Sequence, residues 1–238
     1  MNLFLISEKV DHVHWLRSDK RSVHLTEVLK AGKGSVLDFA VENGPKGKGT
    51  VEYLDEHEIV ISCKWHETND SDFLPVSLIV GLSRPQTCRK ILEQATTLGV
   101  RCLHFFSARK GEPSYASSRL WITNEWKSRI RNGAEQAFSS QLPDCKIHPS
   151  LDSLLQDIPI KDEPRVAFDN YEADRAFKKV FPLSETNNWL AFGPERGWSA
   201  EERKLLTNEG FTLCSLGKRV LRVETAVVSA VGTLSNLI

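Results

Sequence analysis

Two glycine-bearing loops near the carboxyl end constrain this chain more than any other feature. Trp189-Leu-Ala-Phe192 is a short apolar run that ends on Gly193-Pro194-Glu195-Arg196-Gly197, and Phe211-Thr-Leu-Cys214 is a second that ends on Ser215-Leu216-Gly217-Lys218-Arg219. In an open α/β sheet, the loops at the carboxyl ends of the strands are where ligands sit. Glycine there lets the backbone approach a ligand closely or take a positive φ. The segment between the loops has the punctuation of a helix. Ser199 is a cap, Glu202 three residues on completes a capping box, Leu205 and Leu206 supply an inward face, and Gly210 suits the position just past the end. The last segment repeats Val223, Val227, Val231 and Leu234 at helical spacing, although its β-branched residues are weak helix formers. Pattern alone gives a strand–helix–strand–helix unit of a kind found in many α/β domains.

The chain upstream supplies the rest of such a sheet. Pro75-Val-Ser-Leu-Ile-Val-Gly-Leu82 is almost continuously apolar, as a parallel strand buried on both faces must be. Helices are predicted over Gln86–Leu98 and Asn124–Phe138, strands over Val100–Phe106, Lys146–His148, Arg165–Phe168 and Trp189–Phe192, and a helical turn or two over Asp152–Gln156. Strands alternating with helices argue for a mostly parallel sheet. Residues 1 to about 72 are different. Asn2–Ile6, Ser35–Val41, Thr50–Leu54 and Ile59–Cys63 are short strand candidates. His24–Lys30 reads as a short helix with Val28 and Leu29 inward, and Asn43–Gly49 as a hairpin loop whose glycines lack phosphate-loop spacing. The polar stretch from Lys64 to Leu74 marks the boundary between a domain over 1–70 and a second over 74–238.

Composition excludes some classes and leaves others open. No apolar run approaches the ~20 residues that a membrane span needs, and Met1–Ile6 is too short for a secretory signal. The five cysteines are scattered and show no metal-ligand spacing; reduced thiols, a cytoplasmic location and no bound metal are expected. Net charge is zero, but from Arg84 to Arg131 ten bases face three acids, Glu93, Glu112 and Glu125. Such a stripe is either the footprint of a phosphate backbone or a solvated helix face with a charged loop. The loop Ala108–Ser118, with Arg109, Lys110 and Tyr115, suits phosphate contact and base stacking and suits an ordinary surface loop as well. No Gly-x-Gly-x-x-Gly follows the first strand, and no nucleophile–base signature occurs.

Gly-Pro-Glu-x-Gly-Trp-Ser followed by Leu-Gly-x-Arg-Val-Leu-Arg-x-Glu-Thr-Ala closely resembles the signature of the RsmE-type 16S ribosomal RNA uridine-N3 methyltransferases. Weaker resemblance runs through His24 with Val28-Leu29-Lys30, Ser83-Arg84 with Leu98-Gly99-Val100, and Trp126 with Ala134-Glu135-Gln136. The resemblance implies an N-terminal PUA-like β-barrel, a C-terminal α/β domain of the SPOUT class with a trefoil knot, S-adenosyl-L-methionine as cofactor, 16S ribosomal RNA or the small ribosomal subunit as partner, and a homodimer. It assigns the cofactor to loops holding Phe168, Phe192, Gly193, Pro194, Glu195, Gly197, Leu216, Gly217, Val220, Leu221 and Thr225, bound in a bent form. Arg222 and Glu224 are the implied catalytic residues, with Glu195 and Glu224 accepting backbone N–H bonds to order the loops. His24, Lys30, Arg84, Arg109, Lys110 and Arg219 are the implied RNA contacts. The absence of a metal set and a nucleophile agrees with methyl transfer, in which the cofactor brings the electrophile.

Departures from the family pattern fall on RNA-facing positions. Arg196 stands where a second glycine is usual, Asn2 where an arginine is, Gln94 and Thr97 where a Lys and a Glu are, and Ser139 and Gln141 where bases are. Two other function classes stay open on the sequence: a non-catalytic RNA-binding or ribosome-assembly factor that keeps the fold, and a small-molecule enzyme, for which the basic stripe has no use.

Overall fold

The computed structural model describes residues 3–67, 71–158, 163–177 and 184–235. The chain divides into two compact units, one of Met1–Asp72 with Ala134–Leu142, the other of Phe73–Gly133 with Pro143–Ile238.

The first unit is a curled, five-stranded half-barrel. Its strands are β1 (Leu3–Ile6), β2 (His12–Leu16), β3 (Val36–Val41), β4 (Lys46–Leu54) and β5 (Glu58–Trp65), in the order β1-β3-β4-β5-β2. β1 runs parallel to β3; the other pairs are antiparallel. The core is aromatic, with Phe4, Trp15 and Phe39 rings within 5.3–5.6 Å of one another. β1 is apolar at every position because both its faces are covered. Phe4 and Ile6 enter the barrel core, while Leu3 and Leu5 pack with Ala40, Ala134, Phe138 and Leu142. The Ala134–Leu142 segment is fastened to this unit by Ser139 Oγ donating to Asp72 (2.9 Å) and by the Leu142 N–H donating to Asn43 Oδ1 (2.8 Å).

Three readings of this unit are corrected. The strand β2 was not expected; its exposed His12, His14 and Leu16 alternate with buried Val13 and Trp15, a half-buried edge strand whose polar face hides the pattern. The helix is α1 (Lys20–Val23), continued by a wider turn over His24–Val28 that the Leu29 N–H closes on the His24 carbonyl at 3.0 Å. The extra residue per turn rotates the inward face, so Leu25 is fully buried while Val28 points to solvent. Gly47 and Gly49 belong to β4, not to a hairpin tip. A Cβ on Gly49 would sit 2.6 Å from Phe39 Cε2 and 2.7 Å from Ile61 Cγ2, so the aromatic core occupies that space. We predict that Gly49→Val destabilises the protein by about 1–3 kcal/mol, as overpacking does, measured by urea denaturation.

The second unit carries a seven-stranded, wholly parallel sheet: β6 (Leu74–Gly81), β7 (Val100–Phe106), β8 (Asp144–His148), β9 (Arg165–Phe168), β10 (Arg175–Ala176), β11 (Asn188–Phe192) and β12 (Thr212–Ser215), in the order β10-β12-β9-β11-β6-β7-β8. Its helices are α2 (Pro85–Thr97), α3 (Arg119–Ile122), α4 (Glu125–Ala137, whose last turn counts with the first unit), α5 (Leu151–Asp157), α6 (Ala200–Asn208) and α7 (Val223–Ser235). Parallel strands need both faces covered, and β6 and β11 are accordingly the apolar centre. From β6 the chain moves outward to β7, whereas from β11 it moves the other way, past β9 to β12. The adjacent strands β6 and β11 therefore form the point where the winding reverses, and a crevice opens at their carboxyl ends. No helix among the described residues is long and apolar enough to cross a membrane.

Candidate functional site

The loops that leave β6, β9, β11 and β12 at their carboxyl ends border one cavity of about 820 Å³. Its size falls in the range of small-molecule sites, roughly 300–1,000 Å³.

The loop after β11 is held from three sides. Glu195 Oε1 accepts the Arg84 N–H at 2.9 Å, tying it to the start of α2. Trp198, almost fully buried, donates from Nε1 to the Phe168 carbonyl at 2.9 Å and stacks on Phe106. The Gly197 N–H closes a turn on the Pro194 carbonyl at 2.8 Å, with Gly197 at φ +67°. At the end of β6, a Cβ on Gly81 would lie 2.7 Å from both the nitrogen and Cδ of Pro194. The missing side chain at Gly193 makes room for the loop itself, since a Cβ there would meet the Gly197 carbonyl carbon and the Trp198 nitrogen at 3.2 Å.

The helix that follows is capped as the sequence indicated. Ser199 Oγ accepts the Glu202 N–H at 3.1 Å and Glu202 Oε2 accepts the Ser199 N–H at 2.8 Å. Glu202 also accepts the Arg109 N–H at 2.9 Å, so this buried carboxylate fixes the loop after β7. The loop after β9 is pinned by Asp169, which forms a buried ion pair with Arg203 of α6.

Most of the residues singled out in the sequence meet here. Phe168, Phe192, Gly193, Pro194, Glu195, Gly197, Leu216, Val220, Leu221, Arg222 and Glu224 border the cavity, as do Arg84 and Arg219. Phe168 and Phe192 stack with ring centroids 4.8 Å apart. Gly217, at φ +136°, and Thr225 lie outside the lining, as do Arg109 and Lys110. His24 and Lys30 belong to the half-barrel unit. Glu224 accepts from the Lys90 ammonium at 3.2 Å rather than from a backbone N–H. Asp169, Asn170, Tyr171, Trp198, Lys90 and Cys214 also border the cavity and were not singled out. Trp198 stood inside the recognised motif. Asp169 and Tyr171 lie in a stretch with no periodicity or repeat to mark them.

Charge is distributed unevenly. Lys90 is paired with Glu224, whereas Arg84, Arg196, Arg219 and Arg222 form no ion pair among the described residues. The basic stripe is broken up in space. Arg89 and Arg129 share Glu125, whose carboxyl they hold down to about 2, and Arg129 also reaches Glu93. The thiols are poor nucleophiles, with burial pushing Cys214 up to about 11 and Cys88 up to about 12. Among the described residues, no group of three or more His, Cys, Asp or Glu is placed to hold a metal ion.

The sequence profile of the RNA methyltransferase domain matches residues 70–235. The chain belongs to that family. Ribosomal RNA small subunit methyltransferase E of Treponema pallidum is 28% identical over 220 residues, covering 89% of this chain and 81% of that protein. Ribosomal RNA small subunit methyltransferase E 1 of Borreliella burgdorferi is 25% identical over 100% of this chain and 99% of its own. The same fold occurs in the ribosomal RNA small subunit methyltransferase E of Neisseria gonorrhoeae solved with S-adenosyl methionine, at a TM-score of 0.81, 20% identity and coverage of 100% and 98%. A protein of Legionella pneumophila solved with the same cofactor superposes at a TM-score of 0.84 with 20% identity and coverage of 99% and 97%.

The tight contact between Gly81 and Pro194 gives a test of the cavity's construction. Gly81→Ala must push the loop after β11 outward, at a cost of about 1–3 kcal/mol. We predict that it weakens S-adenosylmethionine binding roughly tenfold, a change of about 1.4 kcal/mol, as read by calorimetry on the folded protein.

Proposed function

We propose that the protein transfers the methyl group of S-adenosylmethionine to N3 of a uridine in 16S ribosomal RNA. The observation that carries this reading is the convergence of the loops after β9, β11 and β12 on one cavity whose border holds four arginines that form no ion pair among the described residues. Relatives of this family that match nearly the whole chain bear the name small subunit ribosomal RNA methyltransferase.

The lining suits the cofactor. Stacked Phe168 and Phe192 and the side chains of Leu216, Val220 and Leu221 offer apolar surface, and the backbone from Gly193 to Gly197 offers amide and carbonyl groups for an adenine edge and a ribose. Pro194 and Glu195 fix that backbone; Gly217 gives the loop after β12 its positive φ, and Thr225 stands on the helix that follows it. Bound there, the cofactor supplies a sulfonium methyl as electrophile. The protein's task is then to orient the acceptor and exclude water. Uracil N3 attacks as its proton passes to solvent water, which places negative charge on the base edge; the N3–methyl bond would form as the methyl–sulfur bond breaks and the neutral thioether departs. The Arg222 guanidinium stabilises that charge, and its planar fork suits a deprotonated imide. Glu224 acts through Lys90, holding the ammonium beside the acceptor. Arg84, Arg219, Arg109 and Lys110 contact RNA phosphates, and His24 and Lys30 are RNA contacts of a PUA-like domain over 1–70.

The SPOUT domain over 74–238 closes a trefoil knot in this reading. What supports it is the path from β12 to α7, which packs on α2 although β12 lies three strands away from β6. The working form is a homodimer in the cytoplasm. Val223, Val227, Ala230, Val231 and Leu234 are spent on the chain's own core, but Val228 stays 36% exposed on the same helix, and Val220 beside it 79%. Leu237 and Ile238, apolar residues that continue the same segment, lie outside the described residues.

Nucleoside mass spectrometry tests the activity. 16S ribosomal RNA from cells lacking the gene should lose one 3-methyluridine, restored by the wild-type gene and not by Arg222→Ala; an unchanged nucleoside profile contradicts the reading. For the assembly, Val228→Asp should convert a dimer to a monomer in light scattering and lower methyl transfer at least tenfold. A wild-type protein that is monomeric at micromolar concentration contradicts the dimer.

A further inference from the structure

We infer that Tyr171 is the stacking platform for a base of the RNA substrate, and that Arg203 is the positioning residue that sets it. The inference rests on the methyltransferase reading above and names a substrate contact within the same site.

The loop after β9 is held by one arginine that does not itself border the cavity. Asp169, with only 1% of its side chain exposed, accepts the Tyr171 N–H at 2.5 Å and the Glu172 N–H at 3.3 Å through Oδ1. Its other oxygen takes Nε of Arg203. Arg203 Nη1 reaches Glu172 Oε1 at 3.3 Å, and the guanidinium lies over the Tyr171 ring, 5.7 Å from its centroid. The Asp169 N–H donates to the Cys214 carbonyl at 3.0 Å, which ties the same turn to β12. Removing a carboxylate and a guanidinium from water costs several kcal/mol per ion. Here both partners spend their hydrogen bonds on the geometry of a four-residue turn.

What the turn presents is Tyr171. The residue is 78% exposed, so its ring gains little from burial. Arg203 lies over the ring and Cε2 lies 3.6 Å from where a Cβ on Gly197 would stand, while most of the residue's surface stays open at the cavity border. An aromatic ring that is braced and largely exposed is what an unstacked base requires. Arg84, Arg196 and Arg219 on the same border supply cations for the flanking phosphates. The adenine of the cofactor has an enclosed alternative beside Phe192, which is 2% exposed. The exposed ring therefore falls to the RNA.

The test uses purified small ribosomal subunits from cells lacking the gene and radiolabelled S-adenosylmethionine. Tyr171→Ala should raise KM for the subunit roughly tenfold, the scale of one lost base–aromatic stack, with kcat and cofactor affinity within about twofold of wild type. Tyr171→Phe should behave as wild type, because the ring and not the hydroxyl makes the contact. Arg203→Lys keeps the charge and loses the fork; it should raise KM in the wild-type background and add nothing further to Tyr171→Ala. An unchanged KM in Tyr171→Ala overturns the inference alone. So does a loss of cofactor affinity that matches the rise in KM, which would assign the ring to the cofactor. An additive effect of Arg203→Lys on Tyr171→Ala overturns the positioning role. A wild-type protein that transfers no methyl to the subunit overturns this inference and the methyltransferase reading together.

Discussion

The carboxylate of Glu195, caught by the amide of Arg84, joins the ends of two neighbouring strands whose chains leave in opposite directions. β6 feeds α2 on one side of the reversal and β11 feeds α6 on the other, so nothing in the sheet's own hydrogen bonding holds their loops together. The contact of Pro194 with the bare Cα of Gly81 brings the loops into register, and Trp198 anchors the far side to the end of β9. A loop fixed at both flanks keeps its backbone groups aimed at the cavity, which is what a site that reads a ligand through main-chain atoms demands.

Polar groups around this loop are satisfied with little redundancy. Glu202 is nearly buried, and its two oxygens serve the Ser199 and Arg109 amides. Asp169 is nearly buried, and its two oxygens serve a backbone turn and Arg203. Losing one partner of either group would leave a buried charge uncompensated, which costs more than the bond itself contributes. The four arginines at the cavity border are the reverse case. They are exposed and form no ion pair among the described residues, so each charge costs little and stays available to an anionic polymer that displaces counterions on binding.

Much of this was legible before any coordinates. The strand–glycine–loop pattern fixed the place of the cavity, and the Ser199–Glu202 box gave the start of α6 to the residue. The parallel sheet followed from the continuous apolar runs of β6 and β11. Legibility failed where the physics is not periodic. Asp169 and Arg203 are 34 residues apart and meet only through the parallel packing of the sheet. β2 was missed because histidines on its solvent face mask an alternation that Val13 and Trp15 carry alone. The glycines of β4 were read as turn residues because a glycine excluded by a packed ring and one needed for a turn look alike in sequence. The attachment of Ala134–Leu142 to the half-barrel unit had no local signal, since nothing in the pattern of the helix predicted over Asn124–Phe138 sets its last turn apart.

The central claim is that the loops after β9, β11 and β12 together form the cofactor site. A crystal structure of the protein with S-adenosylhomocysteine tests it most directly. The account predicts the adenosine in the cavity against Phe192, within hydrogen-bonding distance of the backbone between Gly193 and Gly197 and between Leu216 and Leu221. An adenosine bound elsewhere on the protein, with those loops free of contact, would contradict it.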